Sequence, residues 1–444
     1  MTQHTSLHDE VVALTQDLIR LDTSNAPGNE TLVAEHLASY LARNGVDCEL
    51  VARDPARANL VAKLPGSDPT ATSMAFVGHI DVVPVDPRDW THPPFEAVID
   101  DAGYLYGRGA IDMKNEVAAR AVAMAELART GFRPRGDLWF VAEADEEDGT
   151  ADVGMRWLLE ERPDIRPDLA VNEGGGHRLE LADGRTVLTV GVGEKGTFPA
   201  RVSSLGEAGH GSTPSAGDNG VLLLGELLRR IGRGMPVLET HPLVEAMLDA
   251  LVPASTVETL EQRIVAAAAL HPAFEHVLPA LPGVTMAPTM LGGSPKRNVI
   301  PARAWMELDC RILPGHTEAD VEKAVRARLG DGLDYELTWP EELVPGSGST
   351  PDSLLMDSFR SVLARHDPDA LLLPVLDTGF TDSLYLRQAG GAVAYGFSPF
   401  RTTPAEVINA GYHNADERVH VDDLLLATQF HVDLAREVLG DTAD

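Results

Sequence analysis

Val77-Gly78-His79-Ile80-Asp81-Val82-Val83-Pro84 is the stretch from which the fold can be read outward. An apolar run over 75–77 leads into it and predicts a buried strand, and Pro84 marks the exit. His79 and Asp81 lie two apart, so on a strand both side chains leave the same face. That spacing suits a metal-binding imidazole whose second ring nitrogen is held by a carboxylate. It also suits a hydrogen-bonded histidine at a strand end, so the surrounding sequence has to decide.

Upstream, Val11, Val12, Leu14, Leu18, Ile19 and Leu21 follow helical spacing, and Leu32, Val33, His36, Leu37, Tyr40 and Leu41 mark a second helix. Strand-like runs at 47–51 and 59–64 precede the His79 strand. Downstream, 84–94 reads as an ordered loop in which His92 has no assigned role, and 115–129 reads as a helix. Gly107-Arg108-Gly109 lies between them, and no dinucleotide fingerprint follows it. A strand at 138–141 runs into Ala142-Glu143-Ala144-Asp145-Glu146-Glu147-Asp148-Gly149. A helix over 152–161 follows, then a strand at 169–171 ending in Asn172-Glu173-Gly174-Gly175. Strands alternating with helices predict an α/β sheet covered on both faces, with ligands gathered at the carboxyl ends of the strands. His79, Glu146, Glu147 and Glu173 all sit at such ends.

After about Glu194 the pattern changes. A strand at 197–203, a loop at 209–216 and a leucine-rich helix at 219–231 come first. Strands at 285–291 and 302–313, a helix at 318–329 and a strand at 334–339 complete the region. With a helical insertion over 243–281 set aside, the order is βαββαβ. Pro345-Gly346-Ser347-Gly348-Ser349 reads as a linker back to helix–strand alternation over 354–439. The expected layout is therefore a first domain made of 1–194 and 344–444, with 195–343 inserted into it.

The bulk properties narrow the partners. With 444 residues, 44% of them hydrophobic and 23% charged, the chain has the composition of a folded protein of two or three domains. Its formal charge of −32 argues against nucleic acid or anionic membrane as a partner. Cys48 and Cys310 make neither a disulfide framework nor a thiolate zinc cluster. A polar start over 1–10 and the lack of a long apolar run complete the expectation of a cytoplasmic protein.

A co-catalytic two-metal site requires imidazole and carboxylate ligands, a carboxylate bridging both ions, and a base. His79, Asp112, Glu147, Glu173 and His413 supply the types, and the acids of 145–148 would repel one another unless cations neutralise them. Each residue alone is as readily a solvated or capping group.

GHIDVVP, YGRGAIDMK, EADEEDG, NEGG, KRNVIPARAWMELDCRILPG, TGFTDS and YHNADERV follow one another in the chain. This ordered set resembles the aminoacylase and carboxypeptidase-G family of dinuclear zinc exopeptidases and amidohydrolases. Acetylornithine deacetylase, succinyl-diaminopimelate desuccinylase and carboxypeptidase S belong to that family, and the long insertion makes the layout most similar to carboxypeptidase S-like members.

The resemblance implies a zinc-exopeptidase-like α/β catalytic domain carrying a ferredoxin-like lid, with a homodimer formed through the lid. It implies two zinc ions, replaceable by cobalt or manganese. His79 and Glu173 would hold one, Glu147 and His413 the other, and Asp112 would bridge. Asp81 would orient His79, and Glu146 would be the general base. His210 would stabilise the oxyanion, Arg311 and Asn298 would bind a substrate carboxylate, and Gly379 and Thr381 would contact the substrate backbone. The expected reaction is hydrolysis of an amide beside a free carboxylate, in an N-acyl amino acid or a short peptide. A strict dipeptidase or carboxypeptidase is the alternative enzyme, and a non-catalytic metal- or ligand-binding protein is the alternative from another class.

Overall fold

A computed structural model describes residues 6–215, 217–232, 238–257 and 259–440. Ala216 at the end of the expected 209–216 loop, Glu258 in the insertion and residues 1–5 of the polar start lie outside the described residues. The chain divides into two units. The first holds 1–192, 349–375 and 381–444; the second holds 193–348 and 376–380.

The sheet of the first unit is built on the apolar strand Met74–His79, which is buried along its whole length. Leu138–Glu143 and Leu169–Asn172 pair with it on either side, both parallel, and Val393–Gly396 continues the parallel run beyond Leu169–Asn172. Asn59–Leu64 and Asp47–Val51 extend one side antiparallel. Thr186–Glu194 joins antiparallel beyond Val393–Gly396; its Gly-interrupted valine pattern gave no strand expectation.

Alternation along the central strand decides what covers each face. Ala75 and Val77 pack with Trp139, Val141, Ala170 and Ala394 against Met155, Leu158 and Leu159 of helix Met155–Glu161 and Leu386 of helix Ser383–Gly390. Phe76 points the other way, edge-on to the His431 ring of helix Val421–Leu439. Helices Leu7–Arg20 and Lys114–Arg129 pack with Val421–Leu439 on that side. The result is the expected helix–sheet–helix layering. Two local expectations shift. The helix expected from 152 starts at Met155, because Asp152 takes a positive φ of 54°. The His79 strand ends at His79, so Asp81 lies beyond the strand whose geometry was to place it.

In the second unit an antiparallel sheet runs Thr285–Gly292, Arg303–Ile312, Ala200–Leu205, Tyr335–Thr338. This spatial order, second-third-first-fourth, is that of a ferredoxin-like βαββαβ unit. Its core joins Val202, Ala304, Met306, Leu308 and Cys310 of the sheet to Leu224 and Leu227 of helix Gly220–Gly232 and Val321 and Val325 of helix Glu318–Leu329. The strand expected at 197–203 is split into Gly196–Thr197 and Ala200–Leu205, because Pro199 has no N–H to give a ladder. The insertion is helical, with Pro242–Leu251 and Leu260–Ala268 stitched by buried Arg263, which donates to the Val252 carbonyl and pairs with Glu245 and Asp249. Part of the expected 345–349 linker is strand: Ser347–Gly348 pairs with Glu194 and Gly193.

Candidate metal centre and substrate groups

The parallel strands of the first unit bring their carboxyl ends together, and the predicted ligands gather there. His79 closes its strand; Glu173 follows Asn172 at the end of the neighbouring one. Asp112 arrives from the loop ahead of helix Lys114–Arg129, which also contains the cis Asp112–Met113 peptide. Glu147 follows Leu138–Glu143, and His413 lies in the loop between helix Ala405–Gly411 and strand Arg418–His420.

Asp112 is shared by two groups. Its Oδ1 lies 3.0 Å from His79 Nε2 and its Oδ2 3.3 Å from His413 Nε2. Glu173 stands 3.5 Å from the same His79 nitrogen, and Glu147 3.0 Å from the same His413 nitrogen. Candidate ligand atoms of His79, Asp112 and Glu173, and of Asp112, Glu147 and His413, lie within 4.8 Å of one another.

The chemistry of these donors fits divalent cations. His79 Nδ1 donates to the Asp81 backbone carbonyl at 3.0 Å, so in the neutral ring Nε2 carries the lone pair. That lone pair faces two acids, an arrangement that is favourable only with positive charge between them. Glu147 adds a buried Oε1 with no hydrogen-bond partner. Burial pulls the His79 imidazolium down, but Glu173, Asp112 and Asp81 outweigh it and hold it well above the usual value. Asp112 and Glu147 raise His413 to about 10. Asp112 is driven low by the two imidazoles despite its burial.

Asp81 meets more than His79. Its carboxylate pairs with His79 Nδ1 at 3.6 Å, and its backbone carbonyl accepts from the same nitrogen at 3.0 Å. The carboxylate accepts the Glu146 N–H at 3.2 Å, the Glu147 N–H at 3.1 Å and Asn25 Nδ2 at 2.9 Å. One buried acid thus holds the backbone of the expected base and of an expected ligand. Asp145, at a positive φ of 65°, is fixed beside them by Asn25, by Arg57 and by the Ala151 N–H. Arg57 also pairs with fully buried Glu30. Burial and the neighbouring Glu173 push the Glu146 carboxyl well above its ordinary range.

Sequence reasoning missed this supporting layer. Arg120 is fully buried and donates to the carbonyls of Val77, Asn172 and Phe397, tying together three neighbouring strand ends. Its counter-ion is Glu116, one helical turn away, and its Nε faces His431 Nε2. Glu143 and Asp382 are two further buried acids, each raised by burial and, after it, by charged neighbours: Asp382 in the case of Glu143, Asp81 in the case of Asp382. The only signal available was a charged residue in an otherwise apolar run.

The substrate-side residues belong mostly to the second unit. His210 lies in the short strand Gly209–His210, paired with Val299 next to Asn298, and the Gly211 N–H donates to the Asn298 carbonyl at 2.9 Å. His210 Nδ1 accepts the Ser212 N–H at 3.2 Å and contacts Ser212 Oγ at 2.7 Å, which assigns the ring proton to Nε2. Arg311 is half-buried, and its fork is already engaged by Asp309 through Nε and Nη2 at 2.7 and 3.0 Å. Gly379 falls in the 376–380 segment of the second unit. Thr381 falls in the first, where its carbonyl accepts the Leu384 N–H at the start of helix Ser383–Gly390.

Comparison with known proteins identifies the family. Residues 75–437 match the model of "Peptidase family M20/M25/M40". Aminoacylase-1 from Sus scrofa is 28% identical over 417 residues, covering 92% of this chain and 90% of that protein. A Staphylococcus epidermidis protein named "Probable succinyl-diaminopimelate desuccinylase" is 27% identical, covering 96% and 97%. The solved structure of a metallo-carboxypeptidase, Sso-CP2 from Sulfolobus solfataricus, superposes with a TM-score of 0.70 at 18% identity, over 97% of this chain and 99% of that one. The chain is a member of peptidase family M20/M25/M40, a metallohydrolase that acts on amides.

Proposed function

We propose that the chain hydrolyses the amide of an N-acyl amino acid, or of a short peptide with a free carboxylate. The observation that carries this reading is the two-sided use of Asp112, one oxygen toward His79 and the other toward His413. His79, Asp112 and Glu173 would hold one cation, and Asp112, Glu147 and His413 the second. Zinc suits this mixture of imidazole and carboxylate, with cobalt or manganese as substitutes. Bound there, a pair of such ions supplies Lewis acidity that acidifies water and polarises a carbonyl.

The chain's own residues do the rest. Glu146 takes the proton of the attacking water and returns it to the leaving nitrogen. Its position follows from Asp81, which grips the Glu146 and Glu147 N–H groups. His210 offers an Nε2–H to the developing oxyanion, because Ser212 holds the other nitrogen as an acceptor. Arg311 and Asn298 receive the substrate carboxylate, and Gly379 and Thr381 line its backbone. The ferredoxin-like unit is the lid and the surface of a homodimer.

No described helix is long and apolar enough to cross a membrane. Cys48 and Cys310 are both free, which supports a reducing, cytoplasmic setting.

The test is amine release from N-acyl amino acids and dipeptides, with zinc or cobalt and with chelator. Chelator-sensitive release from N-acyl amino acids is expected. Release from dipeptides alone makes the protein a strict peptidase, and silence with two metals bound removes both substrates.

A further inference from the structure

Glu417 lies four residues after His413, and its side chain is fully buried. Its Oε2 accepts Arg108 Nη1 at 2.6 Å and the Gly109 N–H at 3.1 Å. Its Oε1 accepts the Ile111 N–H at 2.6 Å and the Asp112 N–H at 3.0 Å. The Glu417 backbone carbonyl also accepts the Gly107 N–H at 3.1 Å. All four side-chain partners are donors, which only an ionised carboxylate can satisfy. One acid thus receives the whole loop that ends in Asp112. It does so from the segment that carries His413.

The flanking residues fasten that segment on both sides of Glu417. Asp416 accepts the Thr91 N–H and Oγ1, both at 2.7 Å. Arg418 pairs in register with Tyr106, and its guanidinium lies over the Tyr104 and Tyr106 rings. His413 and Asp416 take positive φ angles of 53° and 58°, conformations that persist in non-glycine residues when the surroundings hold them. Asp112 and His413 lie far apart in the sequence, and the Glu417 side chain, carried on the His413 segment, bonds to the Asp112 loop.

We infer that Glu417 is a positioning residue, locking the Asp112 loop to the His413 loop so that the metal-binding geometry exists before any ion arrives. The inference rests on the metal-centre reading above. Both Glu417 oxygens are engaged by Arg108 and backbone N–H groups, so it acts through the backbone of Asp112. Support of this kind behind a ligand is worth about 10- to 100-fold in metal affinity.

Glu417→Gln keeps the shape but turns an NH2 toward groups that are themselves donors. Cobalt titration of the metal-depleted variant, followed by calorimetry and visible absorption, is expected to show about 10- to 100-fold weaker binding and an altered spectrum. Far-UV circular dichroism should be retained. A folded variant with the wild-type cobalt affinity and spectrum overturns the inference. The wild-type chain provides a second measurement that requires no variant. In the metal-depleted protein, the Ile111 and Asp112 amides are expected to exchange slowly with deuterium. Fast exchange, slowed only when cobalt is added, overturns the inference while leaving the metal centre intact. A wild-type chain that takes up no cobalt overturns the metal-centre reading itself, and this one with it.

Discussion

The carboxyl ends of the first unit's strands and the candidate substrate groups of the second unit carry the same kinds of residue under opposite constraints. His79, Asp81 and Asp112 are buried and, apart from the nearby Asp81 groups that hold the His79 ring, are fixed by partners far away in sequence. His210 is exposed and is held by Ser212, two residues along; Arg311 is held by Asp309, again two residues along. Chemistry that must bring like charges together needs a scaffold that cannot relax, because an unsupported buried carboxylate protonates or moves. Recognition of a variable substrate needs no such enclosure, and short-range bonds suffice. The contrast predicts that changes in the first region act on metal binding and turnover, and changes in the second act on the transition state and on substrate affinity.

Glu146→Gln gives the largest expected effect. Metal content should stay at the wild-type level while kcat falls by roughly 10²- to 10⁴-fold, the range for loss of a general base. Retained turnover in a metal-loaded variant removes Glu146 from that role. His210→Ala comes next, with kcat lowered by about 10²- to 10³-fold and KM little changed, as for a lost oxyanion donor. An effect confined to KM places His210 in ground-state binding and blurs the comparison.

Asp81→Asn sharpens it. The asparagine amide sets an NH2 against the Glu146 and Glu147 N–H groups, so metal affinity should fall by about 10- to 100-fold together with kcat. Calorimetric titration reads the first and steady-state kinetics the second. Unchanged affinity with lowered kcat restricts Asp81 to the base alone. Arg311→Lys should be mildest, raising KM by roughly tenfold with kcat held, since lysine keeps the charge and loses the fork. A fall in kcat without a change in KM puts Arg311 outside carboxylate binding.

How far the sequence carried this account depended on the range of the interaction. Helices such as Thr31–Arg43 and Glu318–Leu329 and strands such as Asn59–Leu64 were legible because their apolar periodicity is local. The ferredoxin-like order was legible once the insertion was set aside. The ligand set was legible only from ordered motifs, since a lone acid at a strand end is ordinarily solvated. The supporting layer was not legible at all. Asn25 meets Asp81 across 56 positions and Arg108 meets Glu417 across 309, and neither residue carries a periodic signal. One detail at the site, the part played by the Asp81 backbone in holding His79, lay outside a reading that extended the strand by two residues. The strand ends at His79, and the Asp81 carbonyl joins its carboxylate at the same ring nitrogen.

One shared carboxylate, Asp112, is proposed to build a two-cation centre for amide hydrolysis. The most direct test is to deplete the protein of metal and titrate zinc back while following amine release from an N-acyl amino acid. The account predicts loss of activity on depletion, and recovery that levels off at about two equivalents per chain, one for each candidate group. Full activity in the depleted protein, or full recovery at one equivalent with no second ion bound, would contradict it.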